Sequence, residues 1–360
     1  MTSTTTKINF NAGPAALPQE VLQQASQAVL DYNGTGMSIL EIPHRGKDFD
    51  NIIDEARALV KDLANVGDDY EVLWLHGGGR LQFCMVPMNF LGEGQTAGYI
   101  DSGHWAAEAI EYGEYYGKVN VVASSKAGNY RSLPQWPAIP GDLAYLHYTT
   151  NNTIFGTQYK DIPDTNVPLI ADMSSDIFSR RLDYTKFALV YAVAQKNMGP
   201  AGATMVLIRK DMLGKAKHNL PPMLSYAAHI QHGSVLNTPP VFAIYTSMLY
   251  LRWIKAQGIE AIEKQNEAKA AALYAEIDRN PLFEGITTIE SRSTMNACFK
   301  TTDAANEEKF LQFCTAKGMV NLKGHRAAGA FRVSLYNAIS LQQVQTLVAA
   351  MQEFEHNTVQ

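Results

Sequence analysis

The sequence predicts an α/β protein, a large domain with a mostly parallel sheet between helices and a smaller α+β domain beside it. Three observations carry this. Short apolar runs alternate with amphipathic stretches from about residue 49 to residue 208. Several of those runs are apolar on both parities, as strands buried on both faces must be. Beyond Gly258 the order changes to helices and strands in separate groups.

Each element has its own signal. Pro18 suits the opening of a helix, with Val21, Leu22, Ala25 and Val29 on one side and Asn33-Gly34-Thr35-Gly36 as its stop. Phe49, Ile52, Ile53, Ala56, Leu59, Val60 and Leu63 keep the spacing of a second, amphipathic helix. Tyr70 to Leu75 reads as a strand running into Gly77-Gly78-Gly79, and the helical sequence from Arg80 is bent at Pro87. Further strands are expected at 97–100, 119–122, 143–148, 167–171, 188–192 and 204–208, with a helix at 105–116. After Thr238-Pro239-Pro240 a helix runs to about Lys255, Gly258 breaks it, and another covers 259–278. Strands near 286–289, 297–301 and 331–336 and a helix near 306–317 complete the smaller unit. Ser340 and Gln343 form a capping box that opens the last helix, with Leu341, Val344, Leu347, Val348 and Met351 facing inward.

Composition narrows the class. The 360 residues are 46% hydrophobic and 18% charged, which is far from a disordered chain. Thirty basic against 35 acidic side chains give a net charge of −5, with no basic block, so a nucleic-acid partner is not expected. Cys84, Cys298 and Cys314 offer neither a disulfide framework nor thiolate zinc spacing and read as core or inert thiols. The polar start, Met1 to Lys7, is no secretory signal, and the apolar stretch 240–253 is too short to span a bilayer. A cytoplasmic protein without membrane contact is the expectation. His229 and His232 read as surface or interface residues, and Tyr112, Tyr115 and Tyr116 as packing.

Two strand ends carry chemistry. Lys196 follows a strand of small and apolar residues and precedes Asn197-Met198-Gly199-Pro200. Ligands of α/β sheets bind at such carboxyl ends, and a lysine desolvated there becomes an amine nucleophile toward an aldehyde. Asp172 ends another apolar strand and needs a cationic or hydrogen-bonding partner; one that fits is the protonated ring nitrogen of pyridoxal phosphate. His76-Gly77-Gly78-Gly79-Arg80 joins strand to helix, where backbone N–H groups can hold a phosphate, although a plain tight turn explains the triplet equally well.

Six motifs stand in order along the chain: Asn9 to Pro14, His44-Arg45-Gly46-Lys47, Gly77 to Arg80, Ala194 to Gly202, Asn237 to Pro240, and Gly324-His325-Arg326 with Gly329 and Arg332. Together they resemble the phosphoserine aminotransferases, fold-type-I members of the class-V pyridoxal-phosphate-dependent aminotransferases. The resemblance covers about Ile8 to Phe354. It implies a homodimer with shared active sites that moves the amino group between glutamate and 3-phosphohydroxypyruvate, giving O-phosphoserine and 2-oxoglutarate in serine biosynthesis. It implies a large cofactor-binding domain at 17–256 and a small domain made of 1–16 with 257–360.

By the same resemblance Lys196 holds the cofactor covalently and Asp172 pairs with its ring nitrogen. Trp105 stacks on the ring and Thr153 bonds the phenolic oxygen. Gly79, Arg80 and Gln195 form the phosphate cup, completed by Asn237 and Thr238 of the second subunit. Arg332 anchors the substrate α-carboxylate; His44, Arg45, Arg80, His325 and Arg326 receive the substrate phosphate, with Arg45 also able to meet glutamate's side-chain carboxylate. Ala12, Leu81 and Val193 depart from residues frequent in the family. A glyoxylate-type aminotransferase would share the fold and the lysine, without needing basic groups for a phosphate dianion. A non-catalytic phosphate-binding protein would use the triple glycine alone.

Overall fold

The computed structural model describes residues 7–215 and 219–359; the expectation for the polar start falls largely on residues 1–6, outside that range. In chain order the elements begin with β1 (Ile8–Asn9), α1 (Gln19–Leu30), α2 (Lys47–Ala64), β2 (Tyr70–Leu75), α3 (Gly78–Phe90), β3 (Thr96–Asp101), α4 (His104–Glu114) and β4 (Lys118–Ser124). There follow β5 (Leu146–Thr149), β6 (Asn151–Asn152), β7 (Thr157–Gln158), β8 (Leu169–Asp172), β9 (Phe187–Val193), α5 (Ala194–Asn197) and β10 (Thr204–Arg209). The last part holds α6 (Tyr226–Gln231), α7 (Val241–Gln257), α8 (Ile259–Arg279), β11 (Phe283–Gly285), β12 (Asn296–Thr301), α9 (Glu307–Ala316), β13 (Met319–Val320), β14 (Phe331–Ser334) and α10 (Leu341–Val359).

Seven strands form the main sheet in the order β2-β10-β9-β8-β5-β3-β4. Only β10 runs against its neighbours, so the others share one direction and their carboxyl ends lie along one edge. Every residue of β5, β8 and β9 is buried, as their unbroken apolar runs require. β4 is the exception, largely exposed because it is the sheet's edge. One core (Phe49, Ile53, Tyr148, Leu207) and a second (Phe83, Tyr99, Tyr145, Val206) bury the sheet's side chains. Phe49, Ile52, Ile53, Ala56, Leu59 and Val60 of α2 are buried, and that helix packs against α7, itself buried almost all round.

A third core joins Phe10 to residues of α8, α9, α10 and the three-stranded sheet β11-β12-β14. The parallel pair β1–β13 ties the N-terminal segment to it. Among the described residues no helix is long and apolar enough to cross a membrane.

Several expectations are corrected. The strand expected near 286–289 is β11, three residues earlier; Ile286 still bonds to Cys298, but Thr288 turns away to the Arg131 carbonyl and Ile289 is exposed. Leu22 lies outside the apolar stripe of α1, which runs Val21, Ala25, Ala28. His229 is buried, its ring 3.0 Å from the Met223 carbonyl oxygen, so it is a core residue. Tyr115 is 82% exposed and packs little of its ring. The short hairpin β6–β7 was not visible in the sequence pattern because its residues are polar, yet all are buried. Burial pushes the Cys298 and Cys314 thiols up to about 12, which keeps them unreactive.

The capping box forms: Ser340 N–H donates to Gln343 Oε1 at 2.9 Å and Gln343 N–H to Ser340 Oγ at 3.2 Å. Ser340→Ala should therefore cost about 1 kcal/mol, read as a lower midpoint in urea unfolding. An unchanged midpoint would contradict that contribution.

Candidate active site

At the carboxyl edge of the sheet a cavity of about 420 Å³ opens between the main sheet and the β14 segment. The alignment of parallel strands puts ligand-binding groups there. Asp172 is the last residue of β8, Lys196 lies in the short turn of helix after β9, and the β2–α3 turn supplies Gly77, Gly78 and Gly79.

Burial lowers the Lys196 pKa, an effect that Asp172 opposes and Arg332 reinforces. Its Nζ stands 5.7 Å from the centre of the Trp105 ring. Gly13 lies against the lysine stem, where an added Cβ would stand in ordinary contact with Lys196 Cγ at 3.4 Å, and its φ of +151° is the feature that favours glycine. Asp172 is buried, and its Oδ1 accepts from the Ser174 N–H at 2.9 Å. It forms no ion pair among the described residues, so a buried carboxylate beside the cavity has no protein cation in contact.

Gly77 and Gly78 take successive left-handed conformations, φ +88° and +66°, which bring the chain sharply into α3. A Cβ at Gly77 would strike the Leu81 side chain, whereas nothing stands within 4 Å of one at Gly78. The first N–H groups of α3 thus begin at the cavity, at the positive end of the helix. Trp105 Nε1 donates to Thr153 Oγ1 at 3.2 Å, which leaves the threonine proton free to donate elsewhere. Arg332 Nη1 donates to the Thr153 carbonyl at 3.3 Å.

Arg80 lies on the wall between this cavity and an outer groove. Its guanidinium makes a two-pronged pair with Glu108, at 2.5 and 3.3 Å, and lies 5.3 Å from the Trp105 ring centre. The Ala327 N–H donates to His325 Nδ1 at 3.2 Å, which assigns the ring proton of neutral His325 to Nε2. Burial and the nearby His104, Arg332 and Arg326 lower the His325 pKa.

Nine of the expected site residues line the cavity: Gly79, Arg80, Trp105, Thr153, Asp172, Gln195, Lys196, His325 and Arg332. Five do not. His44 and Thr238 line a separate hollow of about 460 Å³, together with Pro239 and Pro240, while Arg45 and Arg326 are exposed and Asn237 Nδ2 donates to the Thr238 carbonyl at 3.3 Å. Sequence reasoning missed Ser174, which fixes Asp172 and accepts from the Val193 N–H through its hydroxyl, and Glu108, the partner of Arg80. Ser174 stood two residues beyond the strand-ending aspartate, a local signal; Glu108 sits one turn after Trp105 on α4 and gave none.

These groups suit a flat aromatic aldehyde with a basic ring nitrogen and a phosphate: an indole for the ring, a buried carboxylate for the nitrogen, an amine for the aldehyde and a helix end for the anion. Pyridoxal phosphate has that set of features.

Residues 8–347 match the model of the aminotransferase class-V family. A phosphoserine aminotransferase of Flavobacterium psychrophilum is 51% identical over 352 residues, covering 97% of this chain and 99% of that one. The structure of the phosphoserine aminotransferase from Bacillus circulans subsp. alkalophilus superposes with a TM-score of 0.95 at 43% identity, covering 98% of this chain and 99% of that chain. The pyridoxal-phosphate-bound phosphoserine aminotransferase of Trichomonas vaginalis gives a TM-score of 0.91 at 36% identity, covering 96% and 99%.

Because burial disfavours its ammonium form, Lys196 is the amine expected to capture an aldehyde near neutral pH. Borohydride treatment of the protein with pyridoxal phosphate, followed by peptide mapping, should place the added mass on Lys196. A label spread over the exposed lysines would contradict the site.

Proposed function

This chain belongs to the class-V aminotransferase family, and we propose that it works as a phosphoserine aminotransferase, moving an amino group between glutamate and 3-phosphohydroxypyruvate to give O-phosphoserine and 2-oxoglutarate. The observation that carries the reading is the meeting of a desolvated Lys196, a buried Asp172 with no ion pair among the described residues and a helix N-terminus around one cavity. The closeness to relatives of that name over nearly the whole chain supports the substrate assignment.

Pyridoxal phosphate, when bound, supplies an aldehyde carbon and an electron-accepting ring that acidifies the amino acid's Cα–H. With the cofactor in place, Lys196 would hold its aldehyde carbon, and the Nζ would serve as the acid and base that moves a proton at the amino acid's Cα. A place beside the reacting carbon gives this amine a high effective concentration. Asp172 keeps the ring nitrogen protonated, with Ser174 fixing the carboxylate's direction. Trp105 stacks on the ring and Thr153 donates to the phenolic oxygen with the proton its indole contact leaves free. Gly79, Arg80 and Gln195 hold the cofactor phosphate. Arg332 meets the substrate α-carboxylate, a planar fork on a planar acceptor.

The phosphate end needs more positive charge than one chain brings to the cavity. Arg80 and His325 are at hand, and Arg326 lies beside His325. His44 and Thr238 line a separate hollow, where the Thr238 carbonyl lies 3.0 Å from Nε2 of His76, the residue before the Gly77 turn; Arg45 and Asn237 are next to them in sequence. In a homodimer that region supplies Asn237 and Thr238 to the partner's phosphate cup, and His44 and Arg45 belong to the same shared surface. The large domain then comprises 17–256 and the small one 1–16 with 257–360, a division supported by the separate core around Phe10, Leu273 and Phe331. Three unpaired cysteines favour a reducing, cytoplasmic setting.

Rates with O-phosphoserine and with unphosphorylated serine test the reading. A charge-assisted bond is worth about 1.5–3 kcal/mol, so Arg326→Ala or Arg45→Ala should lower kcat/KM for O-phosphoserine roughly ten- to a hundredfold. The same variants should leave serine and alanine nearly unaffected. Equal losses on both would overturn the phosphate clamp, and a wild type that does not transaminate O-phosphoserine would overturn the function.

A further inference from the structure

Three consecutive carbonyls in the loop after Asp172 are each held by a buried asparagine from a different part of the chain. Asn197 Nδ2 donates to Ile177 O at 2.8 Å, Asn337 Nδ2 to Phe178 O at 3.0 Å, and Asn266 Nδ2 to Ser179 O at 2.9 Å. The asparagines are also bonded to one another. Asn337 N–H donates to Asn197 Oδ1 at 2.9 Å, and Asn266 Nδ2 to Asn337 Oδ1 at 2.9 Å. All three are 4% exposed or less. At the centre of the loop Phe178 is buried with φ +51°, a conformation that bulky residues avoid unless their surroundings impose it.

The network lies between two functional positions. Asn197 directly follows Lys196, and Asn337 comes shortly after β14, which carries Arg332. The intervening residues are pinned as well: Lys269 Nζ donates to Leu335 O at 2.7 Å and Tyr336 O at 2.9 Å, and Tyr336 Oη donates to Ala12 O at 2.9 Å. Ile177 and Phe178 belong to a core of the main sheet, whereas Leu335 belongs to the C-terminal core. Neither Asn197 nor Asn337 lines the cavity.

We propose that Asn197 and Asn337 are positioning residues, which fix Lys196 relative to Arg332 across the junction of the two cores through their shared hold on the 177–179 loop. The proposal rests on the roles given above to Lys196 and Arg332. Each side chain uses both its donor and its acceptor, so truncation to alanine frees two buried partners at once and lets the lysine turn shift against β14. A misplacement of about 1 Å at a reacting group lowers turnover by as much as roughly a hundredfold.

The test compares holoenzymes of the wild type, Asn197→Ala and Asn266→Ala. Asn266 holds the same loop but shares no hydrogen bond with Asn197 among the described residues, so its variant loosens the loop while leaving both bonds of Asn197 in place. Three quantities are read: kcat, the thermal midpoint, and the pH midpoint of the bound cofactor's absorbance, which reports the surroundings of Lys196 set by Asp172, Asp176 and Arg332. Asn197→Ala should lose roughly ten- to a hundredfold in kcat and shift the absorbance midpoint. Asn266→Ala should lower the thermal midpoint while keeping the wild-type absorbance midpoint and kcat within about threefold. Should Asn197→Ala give no soluble protein, Asn197→Ser, which retains a hydroxyl, is read in the same way. Activity that falls in step with the thermal midpoint in both variants, or an unmoved absorbance midpoint in the Asn197 variant, overturns the proposal alone. A wild type that takes up no pyridoxal phosphate overturns it together with the aminotransferase reading.

Discussion

Lys196 and Asp172 place opposite demands on one cavity. Poor solvation lowers the proton affinity of the amine, while a buried carboxylate calls for a cationic or hydrogen-bonding partner. The protein meets both demands by setting Asp172 at the end of β8 and Lys196 in the helical turn that follows the hydrogen-bonded neighbour β9, where Asp172 stands in register with Tyr191. The burial that lowers the lysine's pKa goes with its place just beyond β9, every residue of which is buried, and beside the Gly13 segment. Ser174 supplies the local correction: its backbone N–H satisfies one oxygen of Asp172 without supplying a competing positive charge.

The anion-binding features are arranged around that pair. The chain is net negative, so a substrate with a carboxylate at one end and a phosphate dianion at the other needs positive groups gathered locally. The Gly77–Gly78 turn presents the start of α3, Arg332 faces the cavity from β14, and His325 carries its proton on Nε2. Arg80 is different, because Glu108 already occupies its fork and Trp105 lies under it. Arg80 is thus held in place by a carboxylate on the same helix that carries Trp105.

Much of the fold was legible because its signals are local. Buried parallel strands show as apolar runs, α2 as a seven-residue stripe, and the last helix as Ser340 with Gln343. Lys196 and Asp172 were legible for the same reason, each a lone charged residue at the end of an apolar strand. What escaped depends on contacts between distant segments. The Asn151–Asn152 hairpin is polar and buried, held by Ser175, Asn296 and Ser293. His229 looked like a surface histidine until Met223 closed over it, and the amide network of Asn197, Asn266 and Asn337 joins three regions that no spacing rule relates. His44 and Asn237 carried motif information, but their places in a single chain lie outside the cavity that holds Lys196.

We propose that Asp172 holds a proton on the ring nitrogen of the bound cofactor. Nitrogen-15 NMR of the protein loaded with ring-labelled pyridoxal phosphate reads that proton directly. The wild type should show the chemical shift of a protonated pyridine nitrogen across the neutral pH range, and Asp172→Asn should move it to that of the unprotonated ring. An unprotonated nitrogen in the wild type, or the same protonated shift in both proteins, would contradict the account.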